Sequence, residues 1–162
     1  MLPEPICNIC LCYMLEDPNN LGWLKCLSCD FRKKGKNSMI TIKELLGDVK
    51  LEDLPEDYRK NAEELLRRVN LFRKEYGQPM YVTSGYRSPE HNAKIGGSKA
   101  SAHMSCQAID FRDGDKKLKE FIANDPAILE RCDLYMEHPD ATLTWIHLQS
   151  RPTKSGNRVF KP

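Results

Sequence analysis

Apolar residues in the middle of the chain recur at helical spacing. Six of them follow steps of four and three, which places them on one face of a helix: Tyr58, Ala62, Leu65, Val69, Phe72 and Tyr76. Pro55 suits the first turn, and Gly77 followed by Pro79 ends the pattern. Charged residues occupy most of the intervening positions. The pattern therefore predicts a long amphipathic helix with one buried face.

Shorter helices are indicated by the residues at their ends. Thr41-Ile42-Lys43-Glu44 is a capping box, so a short helix is expected to begin near Thr41 and to stop near Gly47. Ser88-Pro89 is typical of an N-cap with proline at the first helical position, and Gly96 ends that helix. Two further segments, residues 116–123 and 126–131, also have a helical pattern. Residues 97–106 are small and polar and predict a loop.

Five segments have the composition of strands: residues 80–83, 107–112, 134–136, 143–148 and 158–160. The connections between them are short, and helices both precede the strands and lie between them. This order predicts the α+β fold class, with a small antiparallel sheet backed by helices.

The composition is that of a folded protein. Of the 162 residues, 40% are apolar and 30% are charged, which is enough apolar surface for a core. No run of about eighteen apolar residues occurs, so no membrane span is expected. The N-terminal residues lack the basic and then apolar layout of a secretory signal peptide. A net charge of +2 argues against a dedicated nucleic-acid-binding protein.

The cysteines are concentrated near the N-terminus. Two C-x-x-C pairs, Cys7/Cys10 and Cys26/Cys29, are separated by fifteen residues, which is the spacing of a structural four-thiolate zinc site. The alternative is a disulfide framework, which the odd number of cysteines and the missing signal peptide disfavour. Cys12 is left over. Residues 1–32 are therefore interpreted as a zinc ribbon-like knuckle, 33–38 as a linker and 39–162 as a second domain.

A second candidate metal site uses two of the four histidines. His103 lies in the predicted loop, Asp110 on the strand that follows, and His147 on a late strand. Two histidines and a carboxylate with an open fourth position are a catalytic zinc arrangement, which acidifies a water and polarises a carbonyl. The spacing of the three residues is by itself weak evidence for a metal.

The string from Val82 to Asp110 strengthens this interpretation. It runs Val-Thr-Ser-Gly-Tyr-Arg-Ser-Pro-Glu-His-Asn, then Gly-Gly-Ser, then Ser-x-His-x-x-x-x-Ala-x-Asp, and it resembles the D-Ala-D-Ala carboxypeptidase-like zinc peptidases. That superfamily includes D,D-carboxypeptidases and phage endolysins, and it shares a fold with the hedgehog signalling domain. The later Trp145-Ile146-His147 and Gly156-Asn157-Arg158 resemble the phage and prophage subgroup. The resemblance covers residues 39–162.

The resemblance implies roles for particular residues. His103, Asp110 and His147 match the zinc ligands, and Arg87 matches an arginine that binds substrate and stabilises the developing oxyanion. A turn arginine paired with a structural carboxylate is the alternative for Arg87. Ser84 and Ser101 are expected to shape loops and to form hydrogen bonds near the site.

The chain departs from the family pattern at two places. Cys106 stands where relatives have glycine, and cysteine is a poor occupant if the backbone there has a positive φ. A thiolate near the metal is one possibility for Cys106, and a small buried residue is the other. Relatives carry a general base at positions occupied here by Thr144 and Trp145. Glu137 is the nearest alternative base, ahead of His138 and Asp113, although it could equally be a surface charge.

The function expected from these residues is a zinc metallopeptidase that cleaves peptide bonds in peptidoglycan stem peptides. Its place would be phage lysis, with the enzyme held in the host cytoplasm, or the virion. The alternative is a non-catalytic virion or wall-binding protein that keeps the fold and the zinc, with phage structural proteins bound through the knuckle. Nucleic-acid binding by the knuckle and its basic tail, Arg32–Lys36, ranks third.

Overall fold

A computed structural model describes residues 39–161 and three short strands nearer the N-terminus. The chain divides into two compact units, each described by itself. In the first unit, strands β1 (Met14–Glu16), β2 (Trp23–Cys26) and β3 (Arg32–Lys34) form an antiparallel sheet. The predicted zinc ligands Cys7, Cys10 and Cys29, and the side chain of Cys26, lie outside the described residues. The Cys₄ site and the boundary at residue 38 stay predictions.

The second unit begins with the two helices that the sequence predicts. Helix α1 (Ile42–Leu46) starts with the full capping box, in which the Thr41 side chain accepts from the Glu44 amide and the Glu44 side chain accepts from the Thr41 amide. Helix α2 (Glu56–Tyr76) buries the face that its periodicity indicates, including Leu65, Val69 and Phe72.

Three shorter helices follow along the chain. They are α3 (Pro89–Lys94), α4 (Lys117–Asn124) and α5 (Ile128–Arg131). The Ser88 hydroxyl caps α3 by accepting from the His91 amide at 3.2 Å, as its position predicts. The predicted loop at 97–106 is wrong in one respect, because Ala102–Ser105 forms a 3₁₀ turn. No helix in the described part of the chain is both long and apolar enough to span a bilayer.

The sheet has five strands, and one of them runs in an unexpected direction. Strands β4 (Val82–Ser84), β5 (Ala108–Arg112), β6 (Tyr135–Glu137), β7 (Trp145–Gln149) and β8 (Val159–Phe160) are ordered β4-β5-β7-β6-β8. Strand β8 pairs in parallel with β6, so the predicted antiparallel sheet is mixed. After β7 the chain passes to the far side of β6 and reverses its direction, so β8 runs opposite to β7. Because β6 also runs opposite to β7, β8 and β6 are parallel.

The core lies on one face of this sheet. Alternate residues of β5 and β7 join a single apolar cluster with α2: Ile109, Phe111, Ile146 and Leu148. All four are fully buried. Their neighbours along each strand face the opposite side, because side chains alternate across a strand. The polar residues of the two central strands are therefore gathered on the face away from the core.

Candidate metal centre

A row of polar side chains crosses the face of the sheet away from the core. Asp110 on β5 is paired with His147 on β7 and with Ser84 on β4. Continuing the β6–β7 register by one position places Glu137 opposite His147. Cross-strand neighbours project from the same face, so the pairing of the strands brings these four residues together.

His103 completes a group of three close donor atoms. It comes from the 3₁₀ turn that precedes β5. Its Nε2 lies 3.2 Å from His147 Nδ1 and 3.3 Å from Asp110 Oδ1, and His147 Nδ1 lies 2.9 Å from Asp110 Oδ1. Ligand atoms of a tetrahedral zinc site are about 3.3 Å apart, given bonds of about 2.0 Å. The triangle therefore has nearly the dimensions of one face of such a site, and these residues could bind a metal.

The outer nitrogen of each histidine ring is held by a hydrogen-bond acceptor. His103 Nδ1 donates to the Gly85 carbonyl at 2.7 Å, and His147 Nε2 donates to Gln149 Oε1 at 3.2 Å. The orientation of the Gln149 amide is fixed, because its Nε2 donates to the Arg151 carbonyl at 2.6 Å. Both rings thus direct their inner nitrogens at Asp110, which is the outer-sphere pattern typical of metal-ligating histidines.

Asp110 stays ionised in this setting. The residue is 6% exposed, and His103 is 2% exposed. Burial on its own would raise the pKa of the Asp110 carboxyl, but hydrogen bonds with His103 and His147 hold that pKa well below its ordinary value. A buried carboxylate needs a partner of opposite charge. Arg87 is such a partner, because its Nη2 lies 2.7 Å from Asp110 Oδ2.

Arg87 contacts the oxygen of Asp110 that points away from the triangle. Its Nη2 donates to Oδ2 at 2.7 Å, and its Nε donates to Ser84 Oγ at 2.8 Å. The structure therefore places Arg87 as the ion-pair partner of Asp110, the candidate metal ligand. Arg87 also lines the cavity, and no described residue accepts a hydrogen bond from its Nη1.

The Ser-Gly-Tyr-Arg segment needs its glycine for a close approach. The Tyr86 amide donates to the Leu45 carbonyl of α1 at 2.7 Å. A Cβ on Gly85 would lie 2.0 Å from that same carbonyl oxygen. Only glycine allows the segment to lie this close to α1 while its carbonyl accepts from His103.

The donor group lies in a cavity of about 800 Å³, which Glu137 also lines. Glu137 is half-buried, and no described residue donates a hydrogen bond to its carboxylate. The weaker base candidates are occupied elsewhere. Buried Asp113 accepts from the Leu118 and Lys119 amides at the start of α4, at 2.9 and 3.2 Å. His138 Nδ1 accepts from the Asp140 amide at 3.3 Å.

Cys106 has the backbone conformation that glycine favours. Its φ is 58°, in the left-handed region, and its side chain is fully buried. Burial raises the pKa of the Cys106 thiol to about 12, so the side chain is neutral. Among the described residues the metal-type group comprises His103, Asp110 and His147, without Cys106. Of the two possibilities for Cys106, the small buried residue is the one found.

Two further residues of this face, Gln149 and Arg112, belong to no sequence motif. Gln149 orients His147, and Arg112 lines the cavity beyond Asp110. Each stands two positions along its strand from a donor residue, which is the spacing that puts side chains on one face. That spacing is the signal that could have found them. Ser101 and Thr83 also line the cavity.

Comparison with known proteins adds one finding. A family model described as Peptidase M15 matches residues 38–127. The matched segment includes Arg87, His103 and Asp110, and it ends before Glu137 and His147. A search of curated proteins finds no match to the chain.

Proposed function

From its membership of the peptidase M15 family, a family of D-Ala-D-Ala carboxypeptidase-like peptidases that use Zn²⁺, we propose that this chain is a zinc metallopeptidase. Its substrates are the stem peptides of peptidoglycan, cleaved as a carboxypeptidase or an endopeptidase. The observation that carries the proposal is the triangle of His103 Nε2, His147 Nδ1 and Asp110 Oδ1, with edges of 2.9–3.3 Å.

The site offers what a metallopeptidase needs. His103, Asp110 and His147 would hold the ion, and all three line the cavity that a substrate would enter. Zn²⁺ supplies Lewis acidity when bound, acidifying a water and polarising a carbonyl. Asp110 is kept in position by Arg87, whose Nη2 donates to the carboxylate while its Nε donates to Ser84 Oγ. This arrangement supports a site whose ligands are positioned before substrate arrives.

Glu137 is the proposed general base, and it acts from the strand beside His147. Its carboxylate takes a proton from the attacking water and passes it to the leaving amine. The half-buried position in the cavity and the absence of a hydrogen-bond donor among the described residues support this role. Arg87 Nη1 is the proposed donor to the oxyanion that develops on the scissile carbonyl.

The biological setting belongs to the same proposal. A phage lysis enzyme waiting in the host cytoplasm, or a virion-borne enzyme, would meet the cell wall as this substrate requires. The proposed Cys7, Cys10, Cys26 and Cys29 zinc site would fold the N-terminal unit, and phage structural proteins are its proposed partners. Nucleic-acid binding through the knuckle and its basic tail remains the third and weakest hypothesis, because the net charge is only +2.

Digestion of purified peptidoglycan by the zinc-loaded protein tests the proposal. Mass spectrometry of the released fragments identifies the bond that is cut. We expect cleavage that a chelator stops. We also expect Glu137→Gln to lower the rate by about 10²–10⁴-fold with zinc still bound, since a general base contributes on that order. Arg59→Gln on α2, outside the cavity, is the matched control and should digest like the wild type.

Two results would change the conclusion. Intact peptidoglycan with zinc bound at His103, Asp110 and His147 would favour the non-catalytic virion or wall-binding protein. Unchanged digestion by His103→Ala, Asp110→Ala and His147→Ala would exclude this site as the source of activity.

A further inference from the structure

A second cross-strand pair lies on the same face of the sheet as Asp110 and His147. Arg112 on β5 is directly opposite Trp145 on β7, and each is two positions from a donor, Asp110 or His147. Two positions along a strand correspond to about 6.7 Å, and the side chains share a face. Arg112 and Trp145 therefore stand beside the metal centre, at the distance of about two residues of an extended peptide.

Both side chains are available to a ligand. They line the same cavity as the donor group. Trp145 is 38% exposed, although indole is among the side chains that folding usually buries. Arg112 is exposed, and no described residue forms an ion pair or a side-chain hydrogen bond with its guanidinium. An exposed cation next to an exposed aromatic ring in a cavity is typical of a binding surface.

The charges of the cavity favour an anionic ligand. Arg87 is neutralised by Asp110, at 2.7 Å, whereas Arg112 has no such partner among the described residues. Glu137 supplies one further negative charge, and a divalent cation at the donor group would add two positive ones. The cavity of the loaded protein is thus positive, and a guanidinium binds a carboxylate through two parallel hydrogen bonds.

We propose that Arg112 and Trp145 form a subsite that binds a carboxylate-bearing residue of the substrate peptide, within about two residues of the scissile bond. Arg112 pairs with the carboxylate, and Trp145 packs against the aliphatic part of the same residue. This inference rests on the proposed peptidase function, since it assumes that a peptide occupies the cavity. Arg112 is in this account a residue that selects the substrate rather than one that takes part in the chemistry.

Synthetic stem peptides test the subsite. The probes are L-Ala-γ-D-Glu-L-Lys-D-Ala-D-Ala and two versions in which the D-Glu α-carboxyl or the C-terminal carboxyl is amidated. For the wild type we expect kcat/KM to fall by about 10–100-fold when one of these carboxylates is removed, the size of one charge-assisted contact. Arg112→Gln should lower kcat/KM on the unmodified peptide by the same factor, and amidation of that carboxylate should lower its kcat/KM no further. The kcat/KM of Arg112→Lys should lie between those of the wild type and Arg112→Gln, and that of Arg59→Gln should equal the wild-type value.

Other outcomes separate the two proposals. If the zinc-loaded wild type cleaves none of the peptides, the peptidase proposal fails, and the subsite is tested by binding titrations of the same three peptides. Equal binding of the acid and both amides by the wild type, or an equal loss by Arg112→Gln on all three, would overturn the subsite. A wild-type preference for one acid that Arg112→Gln abolishes would support it in either assay.

Discussion

The two faces of the five-stranded sheet are built from the same strands and have opposite character. On β7, Leu148 points into the apolar cluster and is fully buried, whereas the adjacent His147 points into the cavity. On β5, Phe111 and Asp110 make the same contrast. Alternation along a strand lets one segment supply the core and the site together. A single substitution can therefore disturb one property and leave the other nearly intact.

The contrast also concerns how each face is stabilised. The core face gains free energy by removing apolar surface from water. The site face buries Asp110 and His103, which is unfavourable unless hydrogen bonds compensate. Arg87 donates such a bond to Asp110, and the Gly85 carbonyl accepts one from His103. Gln149 accepts a further bond from the neighbouring His147. The site face is thus a polar network whose members fix one another's orientation.

The largest expected effect comes from removing a donor on the site face. We predict that His147→Ala lowers zinc affinity by more than about a hundredfold, a larger loss than is typical for residues outside the ligand set. Its free energy of unfolding without metal should fall by only about 1–2 kcal/mol, the cost of one lost hydrogen bond to buried Asp110. Cobalt titration separates this site from the proposed Cys₄ site, because only thiolate ligands give a sulfur-to-cobalt charge-transfer band. Wild-type metal affinity in this variant would contradict the ligand assignment.

The neighbouring core residue should behave in the opposite way. Leu148→Ala leaves a cavity in the apolar cluster, so we predict a loss of about 2–5 kcal/mol in the free energy of unfolding. Zinc affinity of the folded protein should stay near the wild-type value. Denaturant titration of the metal-free protein measures the first quantity and cobalt titration the second. A large loss of affinity in this folded variant would show that the two faces are not independent.

A smaller effect is expected at the residue that orients His147. Gln149→Leu removes the acceptor of the Nε2 hydrogen and should weaken zinc binding by about 10–100-fold. Gln149→Glu keeps an acceptor there and should recover most of the affinity. Long-range ¹H–¹⁵N spectra of the imidazole rings report which nitrogen carries the proton. Equal affinities and an unchanged tautomer in Gln149→Leu would contradict an orienting role.

The smallest effect concerns Cys106. It lies between His103 and Asp110 in the sequence, but its side chain belongs to the apolar cluster. With its pKa raised to about 12, the thiol should resist alkylation by iodoacetamide at pH 8 and react on unfolding. The unfolded thiol ionises near its ordinary pKa and the folded thiol does not. This group therefore makes folding less favourable as pH rises above about 9, by up to about 1.4 kcal/mol per pH unit.

Peptide mapping after alkylation distinguishes Cys106 from the other cysteines, and rapid labelling of Cys106 in the native protein would contradict its burial.

Local sequence signals predict the elements but not the way in which they pair. The capping box at Thr41 and the periodicity from Tyr58 to Tyr76 are confirmed, because each depends on contacts within one helix. The parallel pairing of β8 is not predicted, because the residues of a strand do not determine the direction in which it pairs with its neighbour. The family resemblance carried by Val82–Asp110 is confirmed by the match to residues 38–127.

The candidate site shows the same division. Residue type and the family resemblance predict His103, Asp110 and His147 as one site, and the structure brings their donor atoms together. The partner of Arg87 and the acceptor for His147 depend on side-chain directions that no motif records. Cys106 is informative in another way. Its substitution for glycine predicts a positive φ only if the backbone of the relatives is kept, and the φ of 58° agrees with that condition.

A crystal structure of the zinc-loaded protein, with anomalous data collected on both sides of the zinc edge, tests the metal centre most directly. We predict a peak about 2.0–2.2 Å from His103 Nε2, His147 Nδ1 and Asp110 Oδ1. Gln149 Oε1 should still accept from His147 Nε2 in that structure. The absence of zinc between these three residues, or zinc bound through His147 Nε2, would contradict this prediction.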